Sequence, residues 1–212
     1  MKILLSGLLA LALGVTALRA DENLVVNGTF DRDIGGWGGG ALRDFYWDPR
    51  DAGQSLASGS LAVTADGEEG EVYAGCFAPP THFGSRYVFE ADVRFPGGPQ
   101  SVPVGAVTLV FQWSSPSYLA TCGTPITGTS VSPTVRDGDA GWHHLRVLSP
   151  PVPDPGSSTL FPIIRVQERL GFPPSLLLID NVRVYPAISA DDFESGDLLY
   201  WYGQQGWPGP AQ

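Results

Sequence analysis

The side chains able to do chemistry in this chain are few and scattered. Histidine occurs only as His82 and the adjacent pair His143–His144. Neighbouring residues of a strand point to opposite faces, so that pair cannot serve one metal or one catalytic dyad. The sequence contains no nucleophile elbow, no HExxH pair and no phosphate-cradling glycine loop. Paired carboxylates of a hydrolase can lie far apart in sequence, so a missing motif does not dispose of that chemistry. Glu68, Glu69 and Glu71 stand beside Gly67 and Gly70 and read as a solvated loop. Asp180 is different. In "LLLIDNVRV" it shares the phase of Leu176, Leu178, Val182 and Val184. An acid in phase with core residues must be paired, protonated or metal-bound. Binding chemistry has more candidates, because flat rings stack on apolar ligand faces while polar neighbours take hydroxyls. Tyr46, Tyr118 and Trp142 are the rings freest for that role. The polar faces of alternating segments add Glu90, Asp92, Arg94 and Gln112, with His144, Arg146, Arg165 and Gln167. These would line a groove if their strands share a sheet; a solvated outer face would read the same.

The elements that must position these groups are strands. "SRYVFEADVRF" (85–95) alternates cleanly, with Tyr87, Phe89, Ala91, Val93 and Phe95 on one face. That is the period of a half-buried strand. "VGAVTLVFQW" puts Val107, Leu109, Phe111 and Trp113 on one face. "NLVVNGTF", "SLAVTA", "EVYAGCF", "GWHHLRVLS", "TLFPIIRVQERL" and "SLLLIDNVRVY" supply further strands. Turn-rich stretches such as "DPRDAGQSLASG" separate them, and the Pro-rich "SPPVPDPGSS" is a connection within the domain. With 27 glycines and 19 prolines, and no long stretch of helical period, the pattern is that of an all-β sandwich or barrel.

The N-terminus "MKILLSGLLALALGVTALRA" has a Lys, an apolar run and small residues, the order of a secretory signal peptide. Cleavage is expected after Ala20 or Ala17, and no later segment is apolar and long enough to span a bilayer. Loss of residues 1–20 removes Lys2 and Arg19 and leaves ten arginines against 22 acids, a net charge of −12. Such a chain is a poor partner for nucleic acid or anionic membranes. A secreted, periplasmic or extracellular location is expected, and in that oxidising setting Cys76 and Cys122 read as a disulfide. Nothing around "ATCGTP" would complete a metal site with His82. The mature length suffices for one core, placed at residues 21–187. Residues 188–212 form a tail too short for a second. The tail's "DDFESGDLLYW" echoes the Phe, acid, Gly and Trp of "NLVVNGTFDRDIGGW" but has no strands after it.

"NLVVNGTFDRDIGGW" resembles the opening of the CenC-type carbohydrate-binding modules, families 4, 9 and 22 and their relatives. "SGSLAVT", "CFAPPTHFGSRYVFEADVRF", "GWHHLRV" and "LLLIDNVRVYP" follow in that family's order, over roughly residues 23–186. "WDPRDAGQSLASGS" and the two cysteines are similar to a bacterial secreted subgroup. The resemblance implies a jelly-roll β-sandwich. It implies that Trp37, Trp47 and Trp113 are structural, and that Asn27–Gly28 of "NGT" is a turn, although the triplet also matches a glycosylation acceptor. It further implies a structural calcium at Asp31 and Asp180, where Asp31 replaces the Glu often found. Carbonyls near Asn23–Leu24 and Gly59–Ser60 would complete its oxygen shell; a salt bridge or exposure is the other reading of Asp180.

The expected activity is non-catalytic binding of a polysaccharide or cell-surface glycan by a monomer. A structural or adhesive surface protein without a sugar site is the alternative, and a small jelly-roll hydrolase or lyase the third. Fold alone does not choose among them.

Overall fold

The computed structural model describes residues 23–77, 86–97, 105–114, 125–136, 138, 140–153 and 159–187. Among the described residues there are eleven strands: β1 Gly38–Gly40, β2 Leu42–Asp48, β3 Ser60–Ala65, β4 Glu69–Tyr73, β5 Tyr87–Arg94, β6 Gly105–Ser114, β7 Pro125–Val131, β8 Val135–Arg136, β9 His143–Leu148, β10 Thr159–Glu168 and β11 Leu177–Pro186. They form two antiparallel sheets. One runs β1-β4-β10-β6-β7, with β8 also paired to β6; the other runs β2-β3-β11-β5-β9. The all-β sandwich expected from the alternating segments is therefore the architecture.

Alternation explains the core. Phe89, Ala91 and Val93 of β5 face Leu109, Phe111 and Trp113 of β6 across the two sheets, and all are buried. The Phe89 and Phe111 rings lie 5.6 Å apart, and those of Tyr87 and Trp113 6.2 Å apart. Offset and edge contacts of this kind add to the area buried. Trp113 donates its indole N–H to the Pro150 carbonyl, 2.9 Å away, as a buried ring nitrogen must find a partner. Trp37 and Trp47 donate to the carbonyls of Asn27 and Phe30. All three tryptophans are structural.

Four expectations need correction. Residues 23–30 are turns rather than a first strand, because Asn27 and Phe30 take positive φ (55° and 47°). The segment still docks on β11, through Leu24 N–H to Val184 O and Val182 N–H to Gly28 O. Glu69 and Glu71 lie within β4 rather than in a loop. β1, β2, β7 and β8 stand where no strand was expected. Finally, Asp180 is not in the core phase. The β11–β5 register shifts between Asp180 and Arg183, and Asn181 has φ 49°. One extra residue turns the alternation over. Leu177, Ile179, Val182 and Val184 join the core, whereas Asp180 faces outward with its cross-strand partner Asp92.

Candidate functional site

The residues expected to share a groove divide between the two outer faces of the sandwich. Glu90, Asp92 and Arg94 are on β5, in the five-stranded sheet, whereas Gln112 is on β6 in the other. Tyr46 is 43% exposed on β2, at the edge of the five-stranded sheet. Trp142 is half-buried beside β9. Tyr118 lies outside the described residues.

The outer face of the five-stranded sheet is a network bonded to itself. Asp92 accepts from Asn181 Nδ2 at 2.8 Å and lies 2.9 Å from His144 Nδ1. Glu90 accepts from the Tyr185 hydroxyl at 2.8 Å and pairs with Arg183 at 3.6 Å. Burial raises the Tyr185 hydroxyl pKa, and the hydrogen bond to Glu90 adds to this. Arg94 donates to the Ala140 carbonyl. These polar groups hold β5, β9 and β11 to one another.

Asp180 sits in the same face, 0% exposed. Its carboxylate accepts backbone N–H bonds from Ala52 (2.8 Å) and Asn181 (2.7 Å). Burial pushes its pKa up to about 7; the N–H bonds oppose that rise, and the charges of Asp51 and Asp92 reinforce it. Calcium takes six to eight oxygens. Asp31 is exposed. Among the described residues, no group of three or more His, Cys, Asp or Glu could hold a metal ion. Cys76, just after β4, is disulfide-bonded; Cys122 lies outside the described residues.

The six-stranded sheet presents a different surface. Strand pairing aligns Gly38 with Tyr73, and Ile163 with Val110 and Val131. Continuing the β4–β10 register sets Tyr73 beside Ile163. An apolar row thus crosses five strands: Gly38, Tyr73, Ile163, Val110 and Val131. The next row is polar: Gly40, Glu71, Arg165 and Thr108. On the other side Phe161 pairs with Gln112, and the Phe161 ring packs edge-on against Tyr73 at 5.7 Å. Ile163 and Val110 are only 2% and 1% exposed and form the floor. Tyr73, Phe161, Gln112 and Arg165 are partly exposed above it. Arg165 is fixed between two carboxylates, Nη2 to Glu71 at 3.3 Å and Nε to Glu69 at 3.0 Å. The Nε contact is an ion pair without hydrogen-bond alignment. Tyr73 and Phe161 were missed in sequence because "EVY" and "TLFP" read as core strand. Their phase, opposite to Val72 and Leu160, was the available signal.

No protein-family profile matches the chain, and no curated protein matches it. Solved structures do. The enzymatically active domain of tailspike protein 4 of bacteriophage CBA120 has TM-score 0.53 at 11% identity, covering 77% of this chain and 21% of that one. The arabinose-bound MgGH51 α-L-arabinofuranosidase has TM-score 0.51 at 13% identity, covering 77% and 26%. A structure from the carbohydrate-binding modules of the β-sandwich superfamily has TM-score 0.50 at 14% identity, covering 78% and 62%. This chain spans less than two thirds of each. At such identities the likeness is one of fold: a β-sandwich of the kind carbohydrate-binding modules use.

Proposed function

We propose that the chain is an exported, non-catalytic glycan-binding module whose ligand lies across the outer face of the six-stranded sheet. The observation that carries this reading is the cross-strand order of that face. An apolar row containing Tyr73, with Phe161 beside it, is flanked by fixed hydrogen-bonding groups on Arg165, Glu71 and Gln112. A polysaccharide offers the complementary surface, with apolar ring faces and hydroxyls along its edges. The rings open to a ligand are those of Tyr73 and Phe161, since Ile163 and Val110 beside them are buried. Glycine at both β1 positions leaves that end of the face without side chains. Catalysis has less support. Glu90 and Asp92 converge with His144, but on the other face, and both carboxylates are already engaged. Calcium rests on the sequence resemblance and not on this geometry.

Affinity electrophoresis of the chain from Asp21 against β-glucan, xylan, mannan, chitin oligomers and peptidoglycan fragments tests the reading. Retardation by at least one glycan is expected, and Tyr73→Ala or Phe161→Ala should weaken it about tenfold, the scale of one aromatic contact. Tyr46→Ala and Trp142→Ala, on the opposite sheet and its margin, should leave it intact. No retardation across the panel would count for a surface-structural protein instead.

A further inference from the structure

We propose that Gly38 is a positioning residue that sets the Tyr73 ring on the ligand face; this rests on the glycan-binding reading above. β1 is a strand of three glycines, and each meets different surroundings. Gly39 turns inward, where a side chain would run into Leu42 and the Glu71 carbonyl. Gly38 and Gly40 turn outward, in register with Tyr73 and Glu71. A methyl group on Gly40 would meet nothing within 4 Å. One on Gly38 would stand 3.1 Å from Tyr73 Cε2 and 3.7 Å from Cδ2 and Cζ. The ring therefore lies across the space a side chain at 38 would take. Neither residue has a positive φ, so the backbone itself admits alanine at either position.

What yields is the ring. Tyr73 is bounded on its other side by Phe161, at 5.7 Å and 63°, and below by the buried Ile163. A methyl at 38 requires the Tyr73 ring to give by a few tenths of an ångström, lifting or turning toward Phe161. Either movement shifts the stacking surface while leaving the core untouched. An edge strand of glycines weakens β pairing in general, so ring placement gives Gly38 a role that fold stability does not supply.

The test is a comparison of Gly38→Ala with Gly40→Ala, each also combined with Tyr73→Ala. Titration uses the glycan of the panel that retards the wild-type chain. Gly38→Ala should weaken binding about tenfold, the scale of one aromatic contact, and Gly40→Ala less than about twofold. In the Tyr73→Ala background, adding Gly38→Ala should change nothing further, because its effect runs through the ring. In tyrosine-labelled NMR spectra Gly38→Ala should move the Tyr73 ring signals and Gly40→Ala should not. Unmoved Tyr73 signals in Gly38→Ala, or equal losses of binding from the two alanines, would overturn the inference even with glycan binding intact. If wild type binds no glycan, the functional reading falls, and the NMR comparison still decides whether Gly38 places the ring.

Discussion

Arg165 is a cation whose geometry is imposed by its neighbours. Two carboxylates, Glu69 and Glu71, hold the guanidinium over the floor of the face. Partly exposed ion pairs contribute little to stability, so their value here is orientation. Arg165→Ala should therefore cost under about 1 kcal/mol of stability yet weaken glycan binding roughly tenfold or more, as lost charged hydrogen bonds do. Urea denaturation and titration on the same sample would separate the two effects. Equal wild-type affinity would remove Arg165 from the site. Phe111 gives the contrasting case. It is fully buried at the contact between the sheets, and Phe111→Ala should cost about 3–5 kcal/mol. A loss below about 1 kcal/mol would mean that the site collapses around the gap.

The bulge in β11 governs what Asp180 does. With φ 49° at Asn181 and a register shift after Asp180, the carboxylate leaves the core and meets Ala52 N–H from the loop before β3. Its pKa in the fold is about 7, against an ordinary 3.8. The folded chain thus holds this proton more tightly than the unfolded one. The stability it brings is full below about pH 4, declines as pH rises, and is gone above about pH 7. The fall is on the order of a few kcal/mol, at 1.36 per pKa unit. Asp180→Asn should flatten it, read as urea midpoints between pH 4 and 8 in EDTA. The same slope in the variant would show that another group titrates. Period-2 alternation was legible in the sequence wherever a strand ran unbroken, as in β5 and β6. It misassigned Asp180 because a bulge is one residue with positive φ; Asn181, of a type that takes positive φ more readily than most, was the one sign of it in a run of Leu, Ile and Val. Asn23–Phe30 misled for the same reason, since apolar residues suggested a strand where two positive φ values make turns. The self-bonded polar face of β5, β9 and β11 and the apolar row through Tyr73 were both outside reach. Each depends on which strands are neighbours, and alternation within one segment carries no such information.

At the scale of the molecule, the sandwich has two working layers of unequal demand. The core of paired rings needs only that alternate residues be apolar, which local sequence specifies. The ligand face needs β1, β4, β10, β6 and β7 brought side by side in fixed register, and these five come from four separate parts of the chain. Long-range order of this kind is costly in chain entropy, and a covalent tie acts on that cost. Cys76 follows β4 and is disulfide-bonded, and Cys122 is the other cysteine of the chain. A bond between them would join the end of β4 to the segment between β6 and β7, closing a loop of about 45 residues that contributes up to ~4 kcal/mol. Both strands belong to the ligand face, so the tie should matter more to Tyr73 than to the opposite sheet. Reduction, or replacement of both cysteines by serine, should lower the urea midpoint and weaken glycan binding, with the Tyr73 NMR signals broadening before those of Tyr185. Peptide mapping without reductant should recover residues 76 and 122 in one cross-linked fragment. Separate recovery, or an unchanged midpoint after reduction, would mean that strand pairing alone holds the face in register.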